Sequence, residues 1–269
     1  MDALRAHGHV PIGLTRANGD VADHVTWTTL PDTDCVVHLA GRSFVPDSWR
    51  EPDEFIRTNV MGTTRALEYC RRRGATMVFL SSYMYGVPKE LPIPESAPIV
   101  ARNPYALSKQ LAEETCRYFA AAFGLGTTVL RPFNIYGPGQ REPFLIPHVI
   151  RQMQDGTVIR VKDLRPRRDY VYVADVVDGI LRSLDGGSGY RVLNLGSGHS
   201  CSVAELIAEL QRVAGTTLPV VSDEAPRAEE VMDTVADVRA AERQLGWRPH
   251  TPLADGLAAT LEAAHQAVR

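Results

Sequence analysis

No run of about 18 consecutive apolar residues occurs in the 269-residue chain, so no segment reads as a membrane-spanning helix. The first nine residues, Met1 to His9, lack the apolar core of a secretion signal. Excess basic charge is missing too: the formal net charge is −3, which leaves no electrostatic footprint for nucleic acid. Cysteine is scarce. The four present, Cys35, Cys70, Cys116 and Cys201, stand far apart and at no metal-ligand spacing. They read as reduced core thiols of a cytoplasmic protein. The eight histidines do not cluster with cysteines or carboxylates, so no protein-bound metal is expected. Internal repeats and low-complexity tracts are absent as well.

What is present is a globular composition. At 44% hydrophobic and 23% charged residues, the chain is too apolar for disorder and long enough to bury a sizeable core. Short β-branched runs predict strands over residues 10–14, 35–39, 76–80 and 127–130. Nearly continuous apolar runs of this kind suit strands covered on both faces, as in a parallel sheet. Amphipathic stretches over 63–73 and 107–122 predict the intervening helices, giving right-handed βαβ units and a doubly wound α/β sheet. Beyond about residue 136, Gly137-Pro138-Gly139 breaks the pattern and helices are expected to dominate. Ser202 and Glu205 form a capping-box signature, and 252–267 reads as a terminal helix.

The chemistry is carried first by Tyr105-Ala106-Leu107-Ser108-Lys109. Spacing of i, i+4 puts Tyr105 and Lys109 on one helical face. A phenol with an ordinary pKa of about 10 is a poor base at neutral pH. A neighbouring ammonium stabilises the phenolate and makes it a usable one. Ser81 ends the preceding strand, where ligands meet parallel sheets, and its hydroxyl can bond a substrate oxygen. The plain alternatives are a tyrosine packed on a helix, a solvated lysine and a polar strand end.

Several motifs in order carry a resemblance. They are His38-Leu39-Ala40-Gly41, Asn59-Val60-Met61-Gly62-Thr63, Ser81-Ser82-Tyr83-Met84-Tyr85-Gly86 and Asn103-Pro104-Tyr105-Ala106-Leu107-Ser108-Lys109. Further along come Arg131-Pro132-Phe133-Asn134-Ile135-Tyr136-Gly137-Pro138-Gly139, Arg168-Asp169-Tyr170-Val171-Tyr172-Val173-Ala174-Asp175 and Asn194-Leu195-Gly196-Ser197-Gly198. Over nearly its whole length the chain resembles the extended short-chain dehydrogenase/reductase family of nucleotide-sugar epimerases, dehydratases and reductases. The resemblance implies a Rossmann-type cofactor domain over 1–136 and a smaller, mostly helical substrate domain over 137–269. Residues 166–195 would return to the Rossmann sheet.

It also implies roles. Ser81, Tyr105 and Lys109 match the catalytic triad, with NAD or NADP as the hydride carrier. Leu39, Ala40 and Gly41 match the wall beside the cofactor, Asn59 a helix asparagine near the active site, and Pro132 and Phe133 the backbone facing the nicotinamide. Asp20 and Val21 resemble the pair that touches adenine. Arg16, where NAD-preferring members carry an acid, points to NADP. On the substrate side stand Ser82, Tyr83 and Asn134, with Phe144 bordering the nucleotide base and Arg168 and Arg227 holding the diphosphate. Guanidinium forks suit phosphate oxygens, although each arginine can also be read as a surface ion pair, and Phe144 as core.

The departures are as informative. None of the 21 glycines forms G-x-G-x-x-G or G-x-x-G-x-x-G, the loop on which a dinucleotide pyrophosphate sits. Residues 1–9 resemble the second half of the first helix, so a first strand and phosphate loop of about 20 residues are missing from the pattern. Either the chain has been started late, or it is a natural variant with an incomplete cofactor site. Ser82 and Tyr83 stand where dehydratases carry an Asp-Glu pair, which argues against water elimination. The expected activity is epimerisation at C4 of a nucleotide-linked hexose. The alternatives are an NADPH-dependent 4-keto-6-deoxyhexose reductase and a cofactor-free relative that binds sugar nucleotides. A homodimer seam is expected on helices 63–73 and 107–122, through Leu111, Tyr118 and Phe119.

Overall fold

The computed structural model describes the chain apart from residues 186, 188, 225–229, 268 and 269. It divides into two compact units. One comprises Met1–Gly86, Glu95–Arg131 and Val177–Leu193, the other Val87–Pro94, Pro132–Val176 and Asn194–Arg269. Among the described residues no helix is long and apolar enough to cross a membrane.

The first unit is built on strand β2 (Thr76–Leu80), whose Met77, Val78 and Phe79 are at most 1% exposed. Burying three such side chains contributes about 1.5–3 kcal/mol each, and that requires cover on both faces. β1 (Cys35–His38) and β3 (Thr127–Pro132) pair with it in parallel, with Val37 opposite Val78 and Phe79 opposite Val129. β7 (Tyr190–Leu195) completes the order β1-β2-β3-β7.

Parallel neighbours need crossovers, and helices supply them. α5 (Gly62–Arg73) joins β1 to β2, and α6 (Pro104–Phe123) joins β2 to β3. α5 stops at Gly74 in the left-handed region, φ 69°. α6 starts where the Asn103 side chain accepts the Ala106 N–H, with Pro104 in the first turn. Leu67 and Cys70 of α5 and Ala112 and Cys116 of α6 meet Met77, Phe79 and Val129 in one core, so these two cysteines are indeed filler. Short helices α1 (Asp2–Ala6), α2 (His24–Thr28), α3 (Val45–Arg50) and α4 (Pro52–Phe55) complete the unit, and a π-helical turn, Ile56–Met61, leads into α5.

Residues 10–14 do not form the expected strand. Val10 is 91% and Ile12 51% exposed. A strand needs a neighbour to hydrogen-bond, and this run pairs with no described strand, so β-prone as it is, it stays irregular.

In the second unit, β4 (Asn134–Tyr136), β6 (Arg167–Tyr172) and β8 (Ser200–Ser202) form one small sheet, and β5 (Ile159–Val161) pairs with β9 (Val220–Ser222). Helices α7 (Leu145–Asp155), α9 (Val203–Ala214), α10 (Arg239–Leu245) and α11 (Leu253–Ala267) outweigh these strands. The capping box is present: the Ser202 hydroxyl accepts from the Glu205 N–H at 3.1 Å, and the Glu205 carboxylate from the Ser202 N–H at 2.8 Å. The core joins Val149, Ile159, Leu206, Leu210 and Leu257. The return to the first unit begins later than residue 166. β6 pairs with β4 and β8 instead, and the chain rejoins the first unit from Val177, within α8 (Val173–Leu181).

Fully buried Asp169 ties this unit together. Its carboxylate accepts from Ser197 N at 2.6 Å, Ser197 Oγ at 2.7 Å, and Gly198 N and Ala236 N at 3.0 Å. A Cβ at Gly196 would stand 2.7 Å from Asp169 Oδ2, which is why a bare backbone passes there. Asp169→Ala leaves these donors without their acceptor and should cost about 3 kcal/mol. Chemical denaturation measures it, and a loss below about 0.5 kcal/mol would contradict the assignment.

Candidate active site

Helix α6 carries Tyr105, Lys109 and Glu113 at successive i, i+4 positions, hence on one face. Lys109 is 5% exposed, and its Nζ donates to the Leu80 carbonyl at 2.9 Å, above the Phe79 ring with 4.8 Å to the centroid. The ammonium is thus pinned at the C-terminal end of β2. Burial lowers its pKa to about 8, with Glu113 pulling the other way. Of its three donors, one is spent on Leu80 and two remain for a ligand.

Tyr105 is half-buried and hydrogen-bonded to the Ser82 hydroxyl. Burial pushes the phenol up and the Ser82 bond draws it back. Phe55 meets its ring edge-on at 6.3 Å. Ser81 follows Leu80; its N–H donates to Leu130 O at 2.8 Å, while its buried Oγ has no partner. His38, at the end of β1, stacks on Phe79 at 5.8 Å, and its buried Nε2 has no partner either. Burial first, and then the Lys109 charge, push His38 down to about 3, so it is neutral. Buried polar atoms are normally paired. Two orphans at the C-terminal ends of neighbouring parallel strands point to a ligand there.

The wall opposite Lys109 is backbone. A Cβ on Gly41 would stand 3.0 Å from Asn59 Oδ1 and 3.4 Å from Lys109 Nζ. Buried Asn59 clamps the following residue from both sides, accepting from Arg42 N at 2.8 Å and donating to Arg42 O at 3.0 Å. Its Nδ2 also donates to Ser108 Oγ at 2.8 Å, and Ser108 donates to Tyr105 O at 2.7 Å. One asparagine therefore fastens the Gly41 loop to the helix that bears Tyr105.

The remaining sequence candidates of the first unit lie in its early loops. Leu39 is 54% exposed, Ala40 and Tyr83 are half-buried, and Arg16 is exposed in a short turn. Asp20 accepts from Ala22 N at 2.8 Å and pairs with Arg57, and that backbone bond first, then Arg57, hold its carboxyl below the usual range. The Val21 carbonyl accepts the Trp27 indole N–H at 2.8 Å.

The others belong to the second unit. Pro132 ends β3, and buried Phe133 donates its N–H to Leu195 O at 2.8 Å. The Asn134 amide donates to Asp169 O at 3.0 Å. Phe144 is 40% exposed at the head of α7 and is not core. The Arg168 guanidinium donates to Arg167 O at 2.8 Å and Val231 O at 2.7 Å and forms an ion pair with Glu230. Arg227 lies outside the described residues.

Two residues given no role by the sequence are Glu113 and Arg131, a buried pair 2.6 Å apart; Arg131 opens one of the motifs above, Glu113 lies outside them. The i, i+4 spacing beyond Lys109 was the signal for the first. Nothing local in the sequence marks the second as its partner.

The chain is similar to known proteins throughout. A family model for the NAD-dependent epimerase/dehydratase family matches residues 1–196. A GDP-6-deoxy-D-mannose reductase of Pseudomonas aeruginosa is 36% identical over 260 residues, 90% of this chain and 83% of that protein. A UDP-glucose 4-epimerase of Thermotoga maritima, solved with UDP-glucose, superposes with a TM-score of 0.91 at 29% identity, covering 100% of this chain and 94% of that one. The P. aeruginosa protein RMD, solved with NADPH, gives 0.88 at 31% identity over 99% and 95%.

The ammonium of Lys109 should titrate in the ligand-free protein near pH 8, charged below and neutral above. Lysine carbon NMR across that range measures it, with Lys109→Met for assignment. A midpoint near the ordinary 10.4 would contradict the burial described.

Proposed function

Because the chain belongs to the NAD-dependent epimerase/dehydratase family, we propose that it is an NAD(P)-dependent epimerase acting at C4 of a nucleotide-linked hexose. One observation carries the reading: the Lys109 ammonium is fixed on Leu80 O, beside an unpartnered Ser81 hydroxyl and on the helix face of Tyr105. Ser81 supplies a hydrogen bond to the C4 oxygen, and Tyr105 removes and returns its proton. Lys109 stabilises the phenolate between the two events. Turning the 4-keto sugar over, so that hydride would return to the opposite face of C4 as Tyr105 gives the proton back to the oxygen, inverts that carbon.

The nicotinamide–ribose half of a dinucleotide fits the residues present. Gly41 leaves room beside the ammonium, and two Lys109 donors can take ribose hydroxyls. Such a cofactor supplies the acceptor and donor of hydride at the sugar carbon. Arg168 and Asn134 are the candidates for holding the sugar nucleotide, with its diphosphate on the guanidinium.

A second reading, an NADPH-dependent reductase of a nucleotide 4-keto-6-deoxyhexose, is favoured by the 36% identity to the P. aeruginosa reductase and by Arg16. Both readings place the chain among enzymes that handle nucleotide sugars, with no nucleic-acid or membrane partner. Four free thiols favour a reducing compartment, the cytoplasm. A second copy is the expected partner through α5 and α6. Leu111 and Tyr118 are 40% and 64% exposed there, and Phe119 is partly buried against the core.

Incubation with UDP- and GDP-hexoses, followed by chromatography, separates the readings. Interconversion of C4 epimers without added reductant is expected for the epimerase; stoichiometric NADPH consumption with a 4-keto-6-deoxy sugar identifies the reductase. In either case Tyr105→Phe should lower kcat by about 100-fold or more while the fold persists. Activity unchanged by Tyr105→Phe would overturn both. Light scattering should give twice the chain mass, and Leu111→Glu with Tyr118→Glu should give a monomer; an unaltered dimer would move the seam elsewhere.

A further inference from the structure

The Arg131–Glu113 ion pair is deeply buried, its side chains 6% and 3% exposed. Arg131 Nη2 lies 2.6 Å from Glu113 Oε2, and Nε stands 3.0 and 3.2 Å from the two carboxylate oxygens. The remaining guanidinium nitrogen bonds the Tyr85 hydroxyl at 3.0 Å and Glu95 O at 3.2 Å. Burying such a pair costs as much desolvation as it returns, and apolar side chains of equal volume would serve stability as well. Stability alone is therefore a poor reason for it.

Its position gives a better one. Glu113 stands one helical turn beyond Lys109 on the face that carries Tyr105. The groups around Lys109 come from several elements. β1 contributes His38, which is neutral; β2 contributes the Phe79 ring and Leu80 carbonyl; the π-helical turn contributes uncharged Asn59 near Gly41. From α6 itself come Tyr105, Glu113 and Cys116, whose thiol burial keeps protonated. Arg131 of β3 stands behind Glu113. Among these groups, Glu113 is the one carboxylate, and Arg131 is its ion-pair partner.

We propose that Glu113 is a positioning residue for the Tyr105–Lys109 pair: fixed by Arg131, its carboxylate supplies the countercharge that keeps the buried ammonium protonated while leaving its donors to the ligand. Arg131 holds that carboxylate by both oxygens, so Glu113 acts on Lys109 at a distance and does not capture it. The inference rests on the reading of Tyr105 and Lys109 as the working pair.

The test compares lysine carbon spectra of the ligand-free protein with those of Glu113→Gln. Only three lysines are present, Lys89, Lys109 and Lys162, and the other two are exposed, so Lys109→Met assigns the signal directly. Removing the countercharge should lower the Lys109 midpoint by about one pH unit, a tenfold change in proton affinity, and Glu113→Asp should hold it near the wild-type value. The alkaline limb of turnover should move down with it. If Glu113→Gln does not fold, Glu113→Gln combined with Arg131→Gln keeps a neutral hydrogen-bonded pair and should still lower the midpoint, by less than the single variant because the Arg131 charge goes with it. A Lys109 midpoint unmoved in a folded variant overturns the proposal, whatever happens to Tm, and leaves the proposed activity standing. A shifted midpoint in a protein that turns over no nucleotide sugar upholds the charge coupling and removes the activity instead.

Discussion

A buried ammonium held on a strand-end carbonyl is the constraint around which the first unit is organised. Lys109 Nζ reaches Leu80 O only because α6 lies across β2 with its Lys109 face inward. Once there, the charge must be accommodated without water. The Phe79 ring lies beneath it, His38 stays neutral beside it, and a glycine faces it. The position is costly, and burial draws the lysine down to about 8. Groups driven so far from their ordinary range cluster at functional sites.

Other features follow from keeping that position exact. Asn59 sits in a π-helical turn, a local irregularity often found where function demands a particular side-chain direction. From there it binds the Gly41–Arg42 loop on one side and, through Ser108, the first turn of α6 on the other. Arg42 in turn lies 5.5 Å over the Phe55 ring, whose edge meets Tyr105. The second unit uses the same device at Asp169, a buried carboxylate saturated by backbone donors. Its backbone carbonyl accepts from Asn134, and its chain neighbour is Arg168.

Much of this was legible in the sequence, for physical reasons. β2 and β3 announce themselves because strands covered on both faces are continuously apolar, as in Thr76–Leu80. α6 is marked by its cap, Asn103-Pro104, and by the i, i+4 pair it carries. The capping box at Ser202 is a local signal and was present as expected. Residues 10–14 misled because β-propensity reports side-chain fit to a sheet, and strand formation also needs a partner. β6 was misplaced for a related reason: its alternating pattern says that it pairs, but not with which sheet. The Arg131–Glu113 pair was illegible because its members lie 18 residues apart on different elements. Nor does the motif at Ser81 reveal that its hydroxyl is left unpaired.

Calorimetric titration of the intact chain with NADH and NADPH, repeated with Lys109→Met, is the most direct test of the central claim that Lys109 is a ribose and proton-transfer anchor. The account predicts that the wild type binds at least one of the two dinucleotides and that Lys109→Met weakens that binding by about tenfold or more, the value of one or two charged hydrogen bonds. Equal affinity in the two proteins, or no binding by the wild type, would contradict it.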